Sequence, residues 1–150
     1  QRLRPGRPDE ASVTQARRTL REFDRPKLWL GVWIFGWLLC ISLSLVHPPD
    51  LGIDVPDGDK IGHLLSYATL SAWAVSIFAR RRAHWLAALA LFALGATMEI
   101  AQGELTTDRM MDARDAIANT LGILIGQVLG FLPWQTWLQA FERRWLPRSA

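Results

Sequence analysis

"LWLGVWIFGWLLCISLSLV", Leu28 to Val46, runs for 19 residues without a charge. A helix rising about 1.5 Å per residue would span roughly 30 Å here, the thickness of a bilayer's hydrocarbon core. With no charged face anywhere on the run, such a helix calls for apolar surroundings on all sides. The run is too long for the core of a signal peptide and lacks a small-residue cleavage site, so it reads as a membrane span.

Working outward, three more apolar runs follow. The four spans fall at about 28–46, 61–78, 85–102 and 113–131. They predict an all-α, integral membrane four-helix bundle over residues 28–132. Residues 1–27 form a charged tail with seven arginines and one lysine, in which a short helix from Ala11 to Phe23 is expected. Residues 133–150 read as an amphipathic tail on the inner leaflet, with Trp134, Trp137, Leu138, Phe141 and Trp145 on a broad apolar side and Arg143, Arg144 and Arg148 nearby.

Composition agrees with this division. Half the residues are hydrophobic while 21% are charged, so the two kinds are segregated into blocks. A net charge of +3 and an isoelectric point near 9.7 would suggest nucleic acid in a soluble protein. Here the cations flank the spans, where they set orientation, and no nucleic-acid partner is expected. Cys40 is the sole cysteine, which excludes an intramolecular disulfide and a thiolate metal cluster.

Orientation follows from the loops. Arg17, Arg18, Arg21, Arg25 and Lys27 precede the first span, Arg80 to Arg82 join the second to the third, and Arg143, Arg144 and Arg148 follow the fourth. The opposite connections, "HPPDLGIDVPDGD" (47–59) and "GELTTDRMMDARD" (103–115), are net acidic. The positive-inside rule then makes both termini cytoplasmic in a multi-pass protein of the cell membrane.

Polar residues collect at the acidic end. Lys60, His63 and Tyr67 descend one face of the second span. Glu99 and Gln102 share a face late in the third, and Asp112, Asp115 and Asn119 repeat the i, i+3, i+7 spacing at the start of the fourth. Arg109 stands in the loop before it. Ionisable groups facing lipid cost several kcal/mol, so these faces are expected to turn inward and pair. Carboxylates outnumber fixed cations. The balance is completed by a proton on one carboxylic acid, with Glu99 favoured, or by a cation, a metal among the candidates. Asp59 and Asp112 are also candidate N-caps. Gly122, Gly126 and Gly130 continue the Asn119 face as a small-residue stripe suited to close helix packing. His47 and His84 show no partner pattern.

The motifs "KIGHLLSY" (Lys60 to Tyr67), "EIAQ" (Glu99 to Gln102) and "RMMDARDAIANTLGILIG" (Arg109 to Gly126) resemble those of the VanZ-like family of small bacterial membrane proteins. The chain departs from that pattern at Asp112, where a small polar residue is usual, and in "TTD", which replaces a Pro-Gly. The resemblance implies a bacterial inner-membrane location and an association with resistance to the glycopeptide teicoplanin, whose target is a lipid-linked cell-wall precursor.

Together these readings predict an outward-facing site that binds a polar or phosphate-bearing envelope lipid headgroup. Two helix N-termini, Lys60 and Arg109 would meet the phosphate, and His63, Tyr67, Glu99, Gln102, Asp112, Asp115 and Asn119 would line the site. Two alternatives use the same residues. One is a membrane-embedded hydrolase or transferase with His63 as base beside Glu99 and Asp115. The other is a proton-coupled transporter. Membrane lipids are the expected partners. Metal, cofactor and oligomeric state stay open.

Overall fold

The computed structural model of the chain describes residues 19–45, 57–105 and 112–146. It is all-α, with five α-helices: α1 (Pro26–Leu45), α2 (Gly58–Ile77), α3 (Arg81–Leu105), α4 (Ala113–Val128) and α5 (Trp137–Trp145). Two 3-10 turns, Leu129–Phe131 and Pro133–Thr136, bend the chain from α4 into α5. α1 and α3 are long and apolar enough to cross a membrane, although length and composition alone do not distinguish a span from a buried core helix.

Local sequence sets the helix ends. Pro26 opens α1, where its fixed φ suits the first turn and its missing N–H is not needed. Asp112 caps α4 by accepting the Arg114 N–H at 2.8 Å. That bond holds the Asp112 carboxyl below the usual carboxylate range. α2 is capped by Asp57 rather than the expected Asp59. Asp57 adopts a left-handed φ of 55° and makes no side-chain cap bond. Asp59 lies in the first turn, where its charge complements the helix dipole.

α2 and α4 pack most closely, and the glycine stripe is the reason. A Cβ on Gly122 would collide with the Leu64 carbonyl oxygen. One on Gly126 would lie 2.5 Å from Ser71 Cβ and 2.7 Å from the Ala68 carbonyl. With backbones this near, Ser71 Oγ donates to the Ile123 carbonyl at 2.8 Å and accepts from Gln127 Nε2 at 3.0 Å. α1 covers this pair along one side. Trp33 Nε1 donates to the Leu70 carbonyl, and Cys40 joins Tyr67, Leu70, Ala88, Leu91 and Ile123 in the core.

Of the helix expected from Ala11 to Phe23, positions 11–18 lie outside the described residues. Residues 19–23 are not helical. Leu20 pairs with Phe78 in an isolated antiparallel bridge, with Arg21 N–H bonded to the Ile77 carbonyl and Ala79 N–H to the Thr19 carbonyl. Arg21 also donates to Gln135 Oε1 at 2.7 Å, so this part of the charged tail is bound to the bundle. α5 is docked on the bundle as well. Leu138 is buried with Trp29 and Ile77, and Glu142, 2% exposed, accepts from Asp24 N–H, Arg25 N–H and Trp29 Nε1 at 2.8–2.9 Å. The Glu142 carboxylate thereby satisfies donors at the start of α1 that would otherwise be orphaned. His84 has a partner too, a ring nitrogen 2.9 Å from the Phe78 carbonyl. His47 lies outside the described residues.

Candidate functional site

At the opposite end of the bundle, α2, α3 and α4 each bring one ionisable side chain to a common point. His63 sits in the second turn of α2, Glu99 in the last two turns of α3, and Asp115 in the first turn of α4. One donor atom from each lies within 4.8 Å of the others. His63 Nε2 is 3.8 Å from Asp115 Oδ2, within ion-pair range but too long for a hydrogen bond.

The trio is interior. Glu99 is 4% exposed and Asp115 8%. Glu99 Oε1 and Oε2 and Asp115 Oδ1 have no hydrogen-bond partner among the described residues. The Asp112 N–H interacts with Glu99 without reaching hydrogen-bond geometry. Asn119, one turn deeper than Asp115, is buried with both side-chain polar atoms unpartnered, and its Nδ2 faces Gly95 one turn deeper than Glu99. Native interiors leave few polar atoms unsatisfied. Five of the six found among the described residues belong to Glu99, Asp115 and Asn119, the sixth being Trp37 Nε1.

The remaining predicted site residues take other parts. Lys60 Nζ stands at the rim, 3.1 Å from Asp59 Oδ2, 3.6 Å from Asp112 Oδ2, 3.7 Å from Asp57 Oδ1 and 3.8 Å from Asp115 Oδ1. Tyr67, fully buried, packs with Cys40 in the core, a contact between α1 and α2 that the sequence reading missed. Gln102 Nε2 donates to the Ser44 carbonyl at 2.8 Å and so ties α3 to the end of α1. Arg109 lies outside the described residues. Beside Lys60, a groove of about 230 Å³ between α2 and α4 is lined by Ile61, Leu64, Arg114, Ile117 and Leu121.

This arrangement overturns the expected headgroup-binding site. What converges is a buried His63–Glu99–Asp115 trio, not an open surface for a lipid phosphate. Its charge also has the wrong sign. Lys60, expected to meet phosphate, is already shared among four carboxylates, so an incoming anion would meet net negative potential. Envelope-headgroup recognition, and the antibiotic-resistance association attached to it, therefore lose their structural basis. The trio can do what an imidazole beside two carboxylates does: accept and return a proton, stabilise the resulting imidazolium, or hold a cation.

No protein-family model matches the chain, no curated protein is significantly similar to it, and no solved structure matches its fold, so the VanZ-like resemblance rests on its motifs alone.

Proposed function

We propose that this chain is a multi-pass membrane protein with a buried hydrolase or group-transferase centre at His63, Glu99 and Asp115. One observation carries the reading: an imidazole and two carboxylates from three helices lie within 4.8 Å of one another, with both Glu99 oxygens unpartnered. Leaving buried carboxylate oxygens without donors costs stability, and such a cost is characteristic of working sites.

In hydrolysis, the water oxygen bonds to the electrophilic carbon or phosphorus while its proton passes to His63. Asp115, 3.8 Å away, stabilises the imidazolium. The bond to the leaving oxygen then breaks, and that oxygen takes a proton from Glu99 or from the imidazolium. In transfer, an acceptor hydroxyl replaces the water.

The membrane placement draws support from the outer surface. Leu28, Phe35, Leu39 and Leu43 on α1, Leu65 on α2, Leu86, Leu89, Phe92 and Ile100 on α3, and Ile117, Leu121, Leu124 and Val128 on α4 are all exposed. Apolar exposure on every helix of a bundle far exceeds what a soluble monomer carries. Arg80 to Arg82, Arg143 and Arg144 lie at the end remote from the trio, which favours cytoplasmic termini and a site near the outer face.

The test needs no guess at a substrate. Protein in nanodiscs is incubated with a total extract of native membranes, and products are followed by mass spectrometry. At least one species should be consumed by the wild type and about 100-fold more slowly by His63→Ala and by Asp115→Asn. Identical time courses for wild type and His63→Ala would overturn the enzymatic reading.

A further inference from the structure

We infer that His63, Glu99 and Asp115 form a binding site for one divalent transition-metal ion of the zinc class. The inference rests on reading the same trio as the reactive centre. It names the charge that balances the carboxylates and changes their roles: with the ion bound, His63, Glu99 and Asp115 would be its ligands rather than base, acid and orienter, and the ion would lower the pKa of the attacking water in their place.

Three independent observations converge. The first is the donor set. One imidazole nitrogen and two carboxylate oxygens, each from a different helix, are the ligand types and number of an open catalytic zinc-class site. The imidazole argues against magnesium and calcium, which favour sites built wholly of oxygen.

The second is the absence of hydrogen-bond donors, Lys60 standing only at ion-pair distance, 3.8 Å, from Asp115 Oδ1. Glu99 Oε1 and Oε2 and Asp115 Oδ1 are buried and accept no hydrogen bond from any described residue. Glu99 is 4% exposed, so water does not supply the missing donors in bulk. A cation placed among these atoms would remove the cost of leaving them bare.

The third is charge. Among the described residues, Asp59 and Asp112 stand beside the Glu99 and Asp115 of the site, whereas the fixed cations near it are Lys60 and Arg114, both shared with those outer carboxylates. A divalent ion offsets most of that excess.

Geometry permits the site with modest closure. Ligand atoms around a tetrahedral zinc, at 2.0–2.1 Å from the metal, are about 3.3 Å apart, against the 4.8 Å that bounds the trio here. Glu99 is unpinned by any hydrogen bond, so a rotamer change on α3 can supply most of the movement. Three protein ligands leave a coordination position for water or substrate.

The experiment uses full-length protein purified in detergent, stripped with chelator and titrated separately with Zn²⁺, Co²⁺ and Mg²⁺ by calorimetry. Visible absorption of the Co²⁺ form reports coordination. Expected are one equivalent of Zn²⁺ or Co²⁺ per chain, Co²⁺ ligand-field bands, no comparable Mg²⁺ binding, and at least about 100-fold weaker Zn²⁺ binding in Glu99→Gln. His63→Gln serves as a second variant should Glu99→Gln fold poorly, and His84→Gln controls for stray imidazole binding and should change nothing. Less than a tenth of an equivalent bound, or affinity untouched by both Glu99→Gln and His63→Gln, overturns the metal site. Metal-free protein that still turns over substrate overturns the metal while sparing the enzymatic reading. Metal-loaded protein that transforms nothing does the reverse.

Discussion

Two glutamates lie almost equally hidden at opposite ends of this bundle, in opposite chemical circumstances. Glu142 is 2% exposed and accepts three hydrogen bonds, from Asp24 N–H, Arg25 N–H and Trp29 Nε1. Glu99 is 4% exposed and accepts none. A carboxylate with three donors is part of the scaffold, since charge-assisted bonds of this kind offset its desolvation and fix the elements that donate them. A carboxylate with none is a standing cost that the fold tolerates because something else is meant to meet it. Burial alone thus says little about role, and the hydrogen-bond inventory separates the satisfied end from the unsatisfied one.

That contrast can be broken most decisively at Glu142. Glu142→Ala would leave two backbone N–H groups and an indole N–H facing a buried gap, and should cost about 3–5 kcal/mol. Titration of micelle-bound protein with a denaturing detergent, followed by circular dichroism, measures it. A loss under about 1 kcal/mol would mean that the α1 and α5 ends are not held together as described. Next in size is Gly126→Val, which drives a branched side chain into Ser71 Cβ, Ala72 N and the Ala68 carbonyl across the α2–α4 seam. The expected cost is about 1–3 kcal/mol in the same assay. The substitution should also disturb the trio, because α2 and α4 carry two of its three members. Smallest is Glu99→Gln. With no hydrogen bond to lose, the variant should unfold within about 1 kcal/mol of wild type, with a shift toward greater stability, while product formation collapses. A large destabilisation by Glu99→Gln would turn Glu99 into a second Glu142 and erase the contrast.

Much of the site was legible because helical periodicity is a local property. The i, i+3, i+7 spacing of Lys60, His63 and Tyr67, repeated in Asp112, Asp115 and Asn119, placed those side chains on single faces without knowledge of any neighbour. The cost of lipid-facing charge then predicted inward convergence, and His63, Glu99 and Asp115 do converge. Periodicity is silent on what lies opposite a face. Lys60 was assigned to phosphate, yet four carboxylates crowd its ammonium. Two of these, Asp112 and Asp115, come from the N-cap and first turn of α4, more than fifty residues away in the chain. The open, anion-binding reading failed for that reason. The anchoring of α5 was out of reach on the same ground. Its amphipathic pattern suggested a leaflet surface and gave no sign of Glu142, whose partners lie 113 to 118 residues earlier in the chain.

From the order of residues alone came the all-α class, the charge-free Leu28–Val46 run, the acidic and basic ends, and the shortlist of groups able to do chemistry. These depend on composition, spacing and helix geometry, which act over a few turns. Only the tertiary structure decided which carboxylate is paired and which is bare. Whether Glu99 and Glu142 find donors depends on how closely separate helices approach, and here that distance is governed by glycines at the α2–α4 seam and by α5 closing over the start of α1.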